Sequence, residues 1–272
     1  MIFLRILLVL ALAYVGICVL LYLFQSRLIF FPGPPGARSP RDAGLAFEEV
    51  WLSPDGGGRV HAWFVPAPDA RGAVVFCHGN AGTIENRLET LAILHRLRLT
   101  ALIFDYRGYG RSEGRPSEAN TYADAQAAWR HLTDHRGIAP DRILLWGRSL
   151  GGAVAVELAA RHAPAGLVVE SSFTSVPDLA AHAVPIWLPT RLLCRHVYDS
   201  AAKVAKLTCP KLFIHSPEDD VIPFEYGERL FAAAAPPKRF VRIRGDHNQG
   251  YRESGRAYLD PVKAFLTEVL GP

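Results

Sequence analysis

The stretch that decides the fold is Ile143-Leu144-Leu145-Trp146-Gly147-Arg148-Ser149-Leu150-Gly151-Gly152-Ala153-Val154. Its first part is an aliphatic run typical of a buried strand, and small residues compatible with a helix follow Ser149 directly. The pattern G-x-S-x-G at this junction indicates a sharp strand-to-helix turn that holds a serine hydroxyl clear of the backbone. We therefore interpret Ser149 as a nucleophile; the alternative is an ordinary strand-to-helix connection.

A second segment, Gly110-Arg111-Ser112-Glu113-Gly114, matches the same five-residue pattern. The residues before Ser112 form the glycine-punctuated stretch Asp105-Tyr106-Arg107-Gly108-Tyr109, and Pro116 opposes a helix directly after it. This segment predicts a loop, so we interpret Ser112 as a turn residue.

A serine nucleophile of this kind has an acid and then a histidine downstream in the chain. The apolar run Lys211–His215 is followed by Glu218-Asp219-Asp220, which places carboxylates at the C-terminal end of a predicted strand. Of the ten histidines, His247 is the one that follows these carboxylates, and it lies in a glycine-bounded loop. We predict His247 as the general base and a carboxylate of the 218–220 segment as the acid.

The segment Val74-Val75-Phe76-Cys77-His78-Gly79-Asn80 indicates a strand that ends at a turn. Backbone N–H groups on such a turn can stabilise the oxyanion of a tetrahedral intermediate, and one such donor contributes roughly 3 kcal/mol. We assign these donors to the N–H groups of Asn80 and Leu150. His78 precedes the nucleophile, so we interpret it as a brace for the turn.

Four segments together resemble the Bem46-like branch of the α/β-hydrolase superfamily, close to the mammalian α/β-hydrolase domain-containing 13 and 17 groups. They are His78–Gly82, Asp105–Gly110, Gly147–Gly152 and Glu170–Ser175. The resemblance covers about residues 45 to 270 and implies an α/β-hydrolase fold. By position, it implies Ser149 as nucleophile, Asp219 as acid, His247 as base, and Asn80 with Leu150 as the oxyanion hole.

The acid has two alternatives in the sequence. Asp220 is adjacent to Asp219, which leaves open which of the two carboxylates bonds His247. Glu170, at the end of another predicted strand, is a weaker rival.

The N-terminal segment 1–30 is predicted to be a membrane anchor. From Ile6 to Phe24 no charged residue occurs, and about twenty apolar residues are enough to span a bilayer as a helix. A secretory signal peptide is the alternative, but its apolar region should be shorter and should end at a small-residue cleavage site.

The side of the membrane on which the catalytic domain lies is poorly defined by charge. Arg5 precedes the apolar segment, while Arg27, Arg38 and Arg41 follow it, so the positive-inside rule gives little preference. By analogy with other single-pass proteins that have N-terminal anchors, we expect the catalytic domain on the extracytoplasmic side.

The remaining chain is predicted to comprise a Pro/Gly-rich linker at 31–44 and one catalytic domain at 45–272. Strand-like runs alternate with helical stretches after the first two strands, which predicts a mostly parallel sheet with helices on both faces. The predicted strands are 47–53, 59–66, 73–77, 100–105, 142–146, 166–170, 211–215 and 239–243. The predicted helices are 83–98, 117–135, 150–162, 222–235 and 255–269.

Composition and motifs argue against several other classes of function. The net charge of +4 is spread along the chain without a basic block, so nucleic-acid binding lacks support. Neither His-Glu-x-x-His nor paired Cys-x-x-Cys spacing occurs, so we expect no metal, and no cofactor motif is present. Cys194 and Cys209 could form a disulfide, but two cysteines do not establish an oxidising compartment.

The segment at about 175–205 is predicted to be a short lid-like insertion above the nucleophile. Its apolar residues include Ile186, Trp187 and Leu188, which we predict to line a site for an acyl chain; the alternative is that they cap the core.

Together these features predict a membrane-anchored serine hydrolase that cleaves a carboxylic ester or thioester through an acyl-enzyme on Ser149. The expected substrate is a small-molecule or lipid-like acyl ester. A serine peptidase of the same fold and a non-catalytic, membrane-tethered interaction domain are the alternatives.

Overall fold

The computed structural model describes residues 2–185 and 187–272, and these form ten strands, eight of them in one central sheet. The strands are β1 (Phe31–Pro32), β2 (Glu48–Leu52), β3 (Val60–Val65), β4 (Gly72–Cys77), β5 (Ala81–Gly82), β6 (Leu99–Phe104), β7 (Ile143–Arg148), β8 (Gly166–Glu170), β9 (Lys211–His215) and β10 (Lys238–Arg242). The order across the sheet is β10-β9-β8-β7-β4-β6-β3-β2, and in the described ranges β3 alone runs in the direction opposite to the other seven strands.

Helices cover both faces of this sheet. They are α1 (Ile2–Ile29), α2 (Leu88–Arg96), α3 (Glu118–Arg130), α4 (Leu150–Arg161), α5 (Val176–Ala183), α6 (Thr190–Leu193), α7 (Ser200–Val204), α8 (Phe224–Ala233), α9 (Gly250–Glu253) and α10 (Arg256–Leu270). The predicted mostly parallel sheet with helices on both faces is confirmed, and each predicted strand differs from the observed one by at most two residues at either end.

The core consists of two apolar layers, one on each face of the sheet. Successive side chains of a strand point to opposite faces, so Ile143 and Leu145 of β7 enter one layer while Leu144 and Trp146 enter the other. Helices α3, α4, α7 and α8 close the first layer, and α2 and α10 close the second. Because β7 is buried on both faces, its residues Ile143 to Trp146 form an unbroken apolar run in the sequence.

The segment 31–44, predicted as a linker, lies against the catalytic domain instead of separating it from α1. Its strand β1 pairs in parallel with β5, directly after the predicted oxyanion turn. The Phe31 N–H donates to the Asn80 carbonyl at 3.0 Å, and the neighbouring Phe30 side chain is buried. The segment lies against the domain because its backbone forms hydrogen bonds with a segment about fifty residues away, and amino-acid composition does not indicate such bonds.

The insertion between β8 and β9 contains α5, α6 and α7, and it contacts α1 through polar groups. Gln25 is the buried residue of α1, and its Oε1 accepts the Arg195 N–H at 2.6 Å. Its Nε2 donates to the Leu193 carbonyl at 3.1 Å, and Ser26 Oγ lies 2.8 Å from His196 Nε2. The C-terminal part of α1 is therefore bonded to the insertion.

All four cysteines lie in the described part of the chain, and all four are free thiols. The conceivable bridge between Cys194 and Cys209 is therefore not formed.

Candidate active site

Ser149 lies between β7 and α4 in a backbone conformation that residues other than glycine rarely adopt, with φ 55° and ψ −125°. Such strain costs about 1–3 kcal/mol and persists where the surroundings hold it in place. The Ser149 N–H donates to the Glu170 carbonyl at 2.9 Å, and its carbonyl accepts the Ser172 hydroxyl at 2.9 Å. The turn therefore presents the serine as the G-x-S-x-G pattern predicts.

Glycines are required around this turn because backbones approach each other closely. A Cβ on Gly147 would collide with the Gly151 carbonyl, and one on Gly151 would collide with the Cys77 carbonyl. A Cβ on Gly152 would lie 2.5 Å from Ser172 Oγ. Only glycine tolerates these contacts.

His247 and Asp219 form a hydrogen-bonded pair. His247 Nδ1 lies 2.8 Å from Oδ2 and 3.0 Å from Oδ1 of Asp219, and the carboxylate is fully buried. Asp220 has a different partner, because its Oδ1 accepts the backbone N–H of His247 at 3.1 Å. Asp219 thus bonds the ring of His247, and the adjacent Asp220 bonds the backbone of the same residue.

The environment of Asp219 keeps its carboxylate ionised. Burial alone would raise its pKa, but hydrogen bonds from His215 and His247, with the N–H of Ile222 at 2.8 Å, hold the pKa well below its ordinary value. The imidazole therefore faces a permanent negative charge, which favours the tautomer with the proton on Nδ1.

The rival residues from the sequence have other partners. Glu170 is buried and accepts hydrogen bonds from Trp146 Nε1 at 3.2 Å, Arg148 Nε at 2.8 Å and Tyr258 OH at 3.0 Å. Ser112 is buried in its loop, where its hydroxyl donates to the Asp105 carbonyl at 2.7 Å. Neither has the contacts expected of a triad member.

The turn at His78-Gly79-Asn80 lies beside the serine. A Cβ on Gly79 would lie 3.4 Å from the Ser149 Cβ. The His78 ring is buried, which lowers its pKa to about 4, and its Nδ1 lies 2.7 Å from the Gly79 carbonyl. The Tyr109 hydroxyl donates to the Asn80 carbonyl at 2.7 Å. These contacts fix the turn while its Asn80 N–H makes no hydrogen bond within the described residues.

Comparison with known proteins gives the family. The chain is 42% identical to an uncharacterised protein of Mycobacterium tuberculosis over 97% of this chain and 95% of the relative. It is 34% identical to the Arabidopsis thaliana α/β hydrolase domain-containing protein WAV2, over 91% of this chain and 89% of that protein. It is 33% identical to α/β hydrolase domain-containing protein 17B of Xenopus tropicalis, over 79% and 73%.

This chain belongs to the α/β-hydrolase domain-containing proteins. The family model described as serine aminopeptidase S33 also matches the hydrolase, at residues 68–199. An esterase structure from Pyrococcus furiosus superposes with a TM-score of 0.76 at 18% identity, covering 89% of this chain and 99% of the esterase. The fold and the resemblance expected from the sequence are confirmed.

One hydrogen bond in the hydrolase could not be predicted from its sequence. The Asn80 side chain donates from Nδ2 to the carbonyl of Ile29, the last residue of α1, at 2.9 Å. Since these residues lie 51 positions apart, no local pattern predicts the bond. It joins the predicted oxyanion turn to the end of α1.

Two cavities of the hydrolase meet at Ser149 and Asn80. The first, of about 320 Å³, is apolar, and its walls come from α1, the first residue of α4, the insertion and the loop after β9. Its lining includes Leu21, Leu28, Phe173, Leu179, Leu188 and Ile222. The second, of about 430 Å³, is polar and includes His247. The serine therefore lies at the junction of an apolar and a polar space.

Of the three residues predicted to line an acyl site, Leu188 lies in the wall of the apolar cavity. Trp187 lies outside the set of described lining residues, and the centroid of its ring lies 5.8 Å from that of the Tyr14 ring of α1. The Tyr14 hydroxyl donates to the Trp187 carbonyl at 3.0 Å. Ile186 lies outside the described residues.

Proposed function

We propose that this hydrolase is a membrane-anchored serine hydrolase that cleaves a carboxylic ester or thioester through an acyl-enzyme on Ser149. One observation carries the proposal. The strained Ser149 shares a cavity with His247, whose Nδ1 is held by the buried Asp219. A scaffold without activity has no need for a strained serine beside an oriented imidazole.

The chemistry follows the arrangement of donors and acceptors. His247 Nε2 takes the Ser149 proton as Oγ bonds to the carbonyl carbon, and Asp219 stabilises the imidazolium. The N–H groups of Asn80 and Leu150 stabilise the oxyanion. The imidazolium returns the proton to the leaving alcohol or thiol as its bond to carbon breaks, and water then hydrolyses the acyl-enzyme by the same steps.

The apolar cavity supports a hydrocarbon acyl group. Each methylene buried there contributes about 0.8 kcal/mol to binding. Since Leu21 and Leu28 of α1 form part of the wall, a chain embedded beside α1 could enter without crossing water.

Helix α1 supports attachment to a membrane. This helix of 28 residues is long enough and apolar enough to cross a bilayer. At 1.5 Å per residue its length is about 42 Å, which exceeds the thickness of a hydrocarbon core of about 30 Å. We place the catalytic domain on the extracytoplasmic side. Protease added to intact spheroplasts would then digest the domain, whereas digestion only after lysis would reverse this orientation.

A peptidase is the second candidate, because the matching family model is described as a serine aminopeptidase. Aminoacyl p-nitroanilides and p-nitrophenyl acyl esters, assayed side by side, distinguish the two activities. Faster turnover of the anilides would replace our proposal.

The proposal is tested by labelling with a fluorophosphonate probe, since a serine activated by His247 attacks phosphorus rapidly. Ser149→Ala should abolish both labelling and ester hydrolysis. Ser112→Ala is the matched control, since Ser112 lies in the other G-x-S-x-G segment, and it should keep both. Labelling that survives in Ser149→Ala would refute the assignment of the nucleophile.

A further inference from the structure

The polar cavity beside Ser149 carries more positive charge than the proposed chemistry uses. Together with the catalytic groups, its wall contains four arginines and two glutamates. These residues are Arg38, Arg87, Arg148, Arg252, Glu85 and Glu89. What the cavity binds depends on which of these charges are already neutralised.

Two of the arginines have carboxylate partners. Arg148 Nε donates to Glu170 at 2.8 Å, and its guanidinium stacks on the Tyr251 ring at 4.2 Å from the centroid. Arg252 Nε lies 2.9 Å from Glu89. Both guanidinium groups are therefore compensated by the protein itself.

The other two arginines, Arg38 and Arg87, make no salt bridge within the described residues. Arg87 is half-buried, and its Nη2 donates to the Ala81 carbonyl at 2.6 Å. Burial, and then the charge of Arg148, lower the pKa of Arg87. A guanidinium that is partly removed from water and has no anion beside it is costly, and a bound anion would offset that cost.

The remaining carboxylate in the wall, Glu85, is engaged by the backbone. Its Oε1 accepts the Gly36 N–H at 2.7 Å, and its Oε2 accepts the Arg38 N–H at 2.9 Å. These bonds hold the segment 31–44 at the rim of the cavity and place the exposed Arg38 there. Glu85 thus positions one free arginine and does not form an ion pair with Arg87.

We propose that the polar cavity binds a phosphate monoester on the leaving part of the substrate, through Arg87 and Arg38. This inference rests on the proposed function. Two guanidinium groups without a carboxylate partner match the charge of about −2 of a phosphate monoester, and their planar donors suit its oxygens. With the acyl chain in the apolar cavity, the ester carbonyl reaches Ser149 and the phosphate-bearing alcohol occupies the polar side.

The reaction needs no reactant besides the ester and water. Ser149 Oγ bonds to the carbonyl carbon, the bond from that carbon to the alcohol oxygen breaks, and His247 donates its proton to this oxygen. The phosphorylated alcohol leaves, and water releases the fatty acid.

The test compares 1-octanoylglycerol 3-phosphate with the neutral 1-octanoylglycerol, on the full-length protein in detergent. We expect the wild-type protein to favour the phosphate ester in kcat/KM by at least about tenfold, and Arg87→Gln to lower this ratio about 10- to 100-fold, as for hydrogen bonds to charged groups. Arg87→Lys should retain part of the preference. Arg96→Gln is the control, because Arg96 is exposed at the C-terminal end of α2, the helix that follows Arg87, and lies outside the cavity; it should leave the ratio unchanged.

Arg38→Ala is a second variant that tests the inference if Arg87→Gln does not fold. The Arg38 side chain makes no salt bridge within the described residues, and its backbone N–H still donates to Glu85 in the variant, so we expect the fold to be retained. It should lower the ratio several-fold and weaken competitive inhibition of p-nitrophenyl octanoate hydrolysis by inorganic phosphate. A wild-type ratio near one, or a ratio unchanged in both variants, would overturn the inference while Ser149-dependent hydrolysis of the neutral ester still upholds the proposed function. Faster cleavage of the carboxylate ester O-octanoyl lactate would replace phosphate by carboxylate as the ligand.

Discussion

At the scale of single residues, the carboxylates of Asp219 and Asp220 make different contacts with His247. Asp219 faces the ring nitrogen, and Asp220 faces the backbone N–H of the same residue. An ionised carboxylate in the first position fixes the tautomer, whereas the second position needs only a hydrogen-bond acceptor. The two positions should therefore respond differently to the same chemical change.

Replacing either aspartate by asparagine tests this difference. Asp219→Asn should lower kcat by about 10³–10⁴-fold, because an amide in this position favours the wrong imidazole tautomer. Asp220→Asn should lower it less than about tenfold, since its amide oxygen still accepts the N–H. Initial rates with p-nitrophenyl octanoate measure both, and equal losses would contradict the assignment.

At the scale of elements, strands were predictable and contacts between distant elements were not. Apolar runs such as Leu212–Ile214 indicate a strand because the middle of a strand that is buried on both faces is apolar. The pairing of β1 with β5 depends on backbone groups that any sequence carries. Gln25 contacts residues about 170 positions away, so nothing local indicates that it bonds the insertion.

The candidate site divides in the same way. Ser149 and His247 were predictable because a motif and a fixed chain order single them out. Trp187 was predicted from its apolar character alone, which does not say which apolar surface a side chain meets. In the structure its neighbour is Tyr14, a residue of α1.

The wall of the apolar cavity gives a prediction about chain length. Wild-type protein should cleave p-nitrophenyl octanoate with a higher kcat/KM than the acetate, because about 0.8 kcal/mol is gained per buried methylene. Leu188→Ala should reduce this preference about tenfold or less, whereas Trp187→Ala, outside the described wall, should leave it nearly unchanged. A larger effect of Trp187→Ala would return that side chain to the acyl site.

At the scale of the whole molecule, α1 is joined to the catalytic domain at several points. The Ile29 carbonyl accepts the Asn80 side chain, Phe30 is buried, and Gln25 bonds the insertion. Leu21 and Leu28 also complete the apolar cavity. The end of α1 is thus a structural part of the site as well as the proposed anchor.

Two truncations separate these roles. The full chain should remain with membranes after carbonate washing. Deletion through Val19 should keep activity in detergent, because it retains Leu21 to Ile29. Deletion through Ser39 should lower kcat/KM at least about tenfold, because the Asn80 turn loses Ile29 and β1. Full activity after the longer deletion would show that these contacts are dispensable.

The bond between Asn80 and Ile29 joins two segments that are synthesised at different times. The ribosome makes α1 first, Asn80 later and His247 close to the end of the chain, and domains fold as the chain emerges. The turn predicted to bind the oxyanion is therefore synthesised after the helix to which it bonds, and His247, the proposed base, is synthesised later still. A nascent chain therefore completes the proposed catalytic site only after α1, the proposed anchor, has been made.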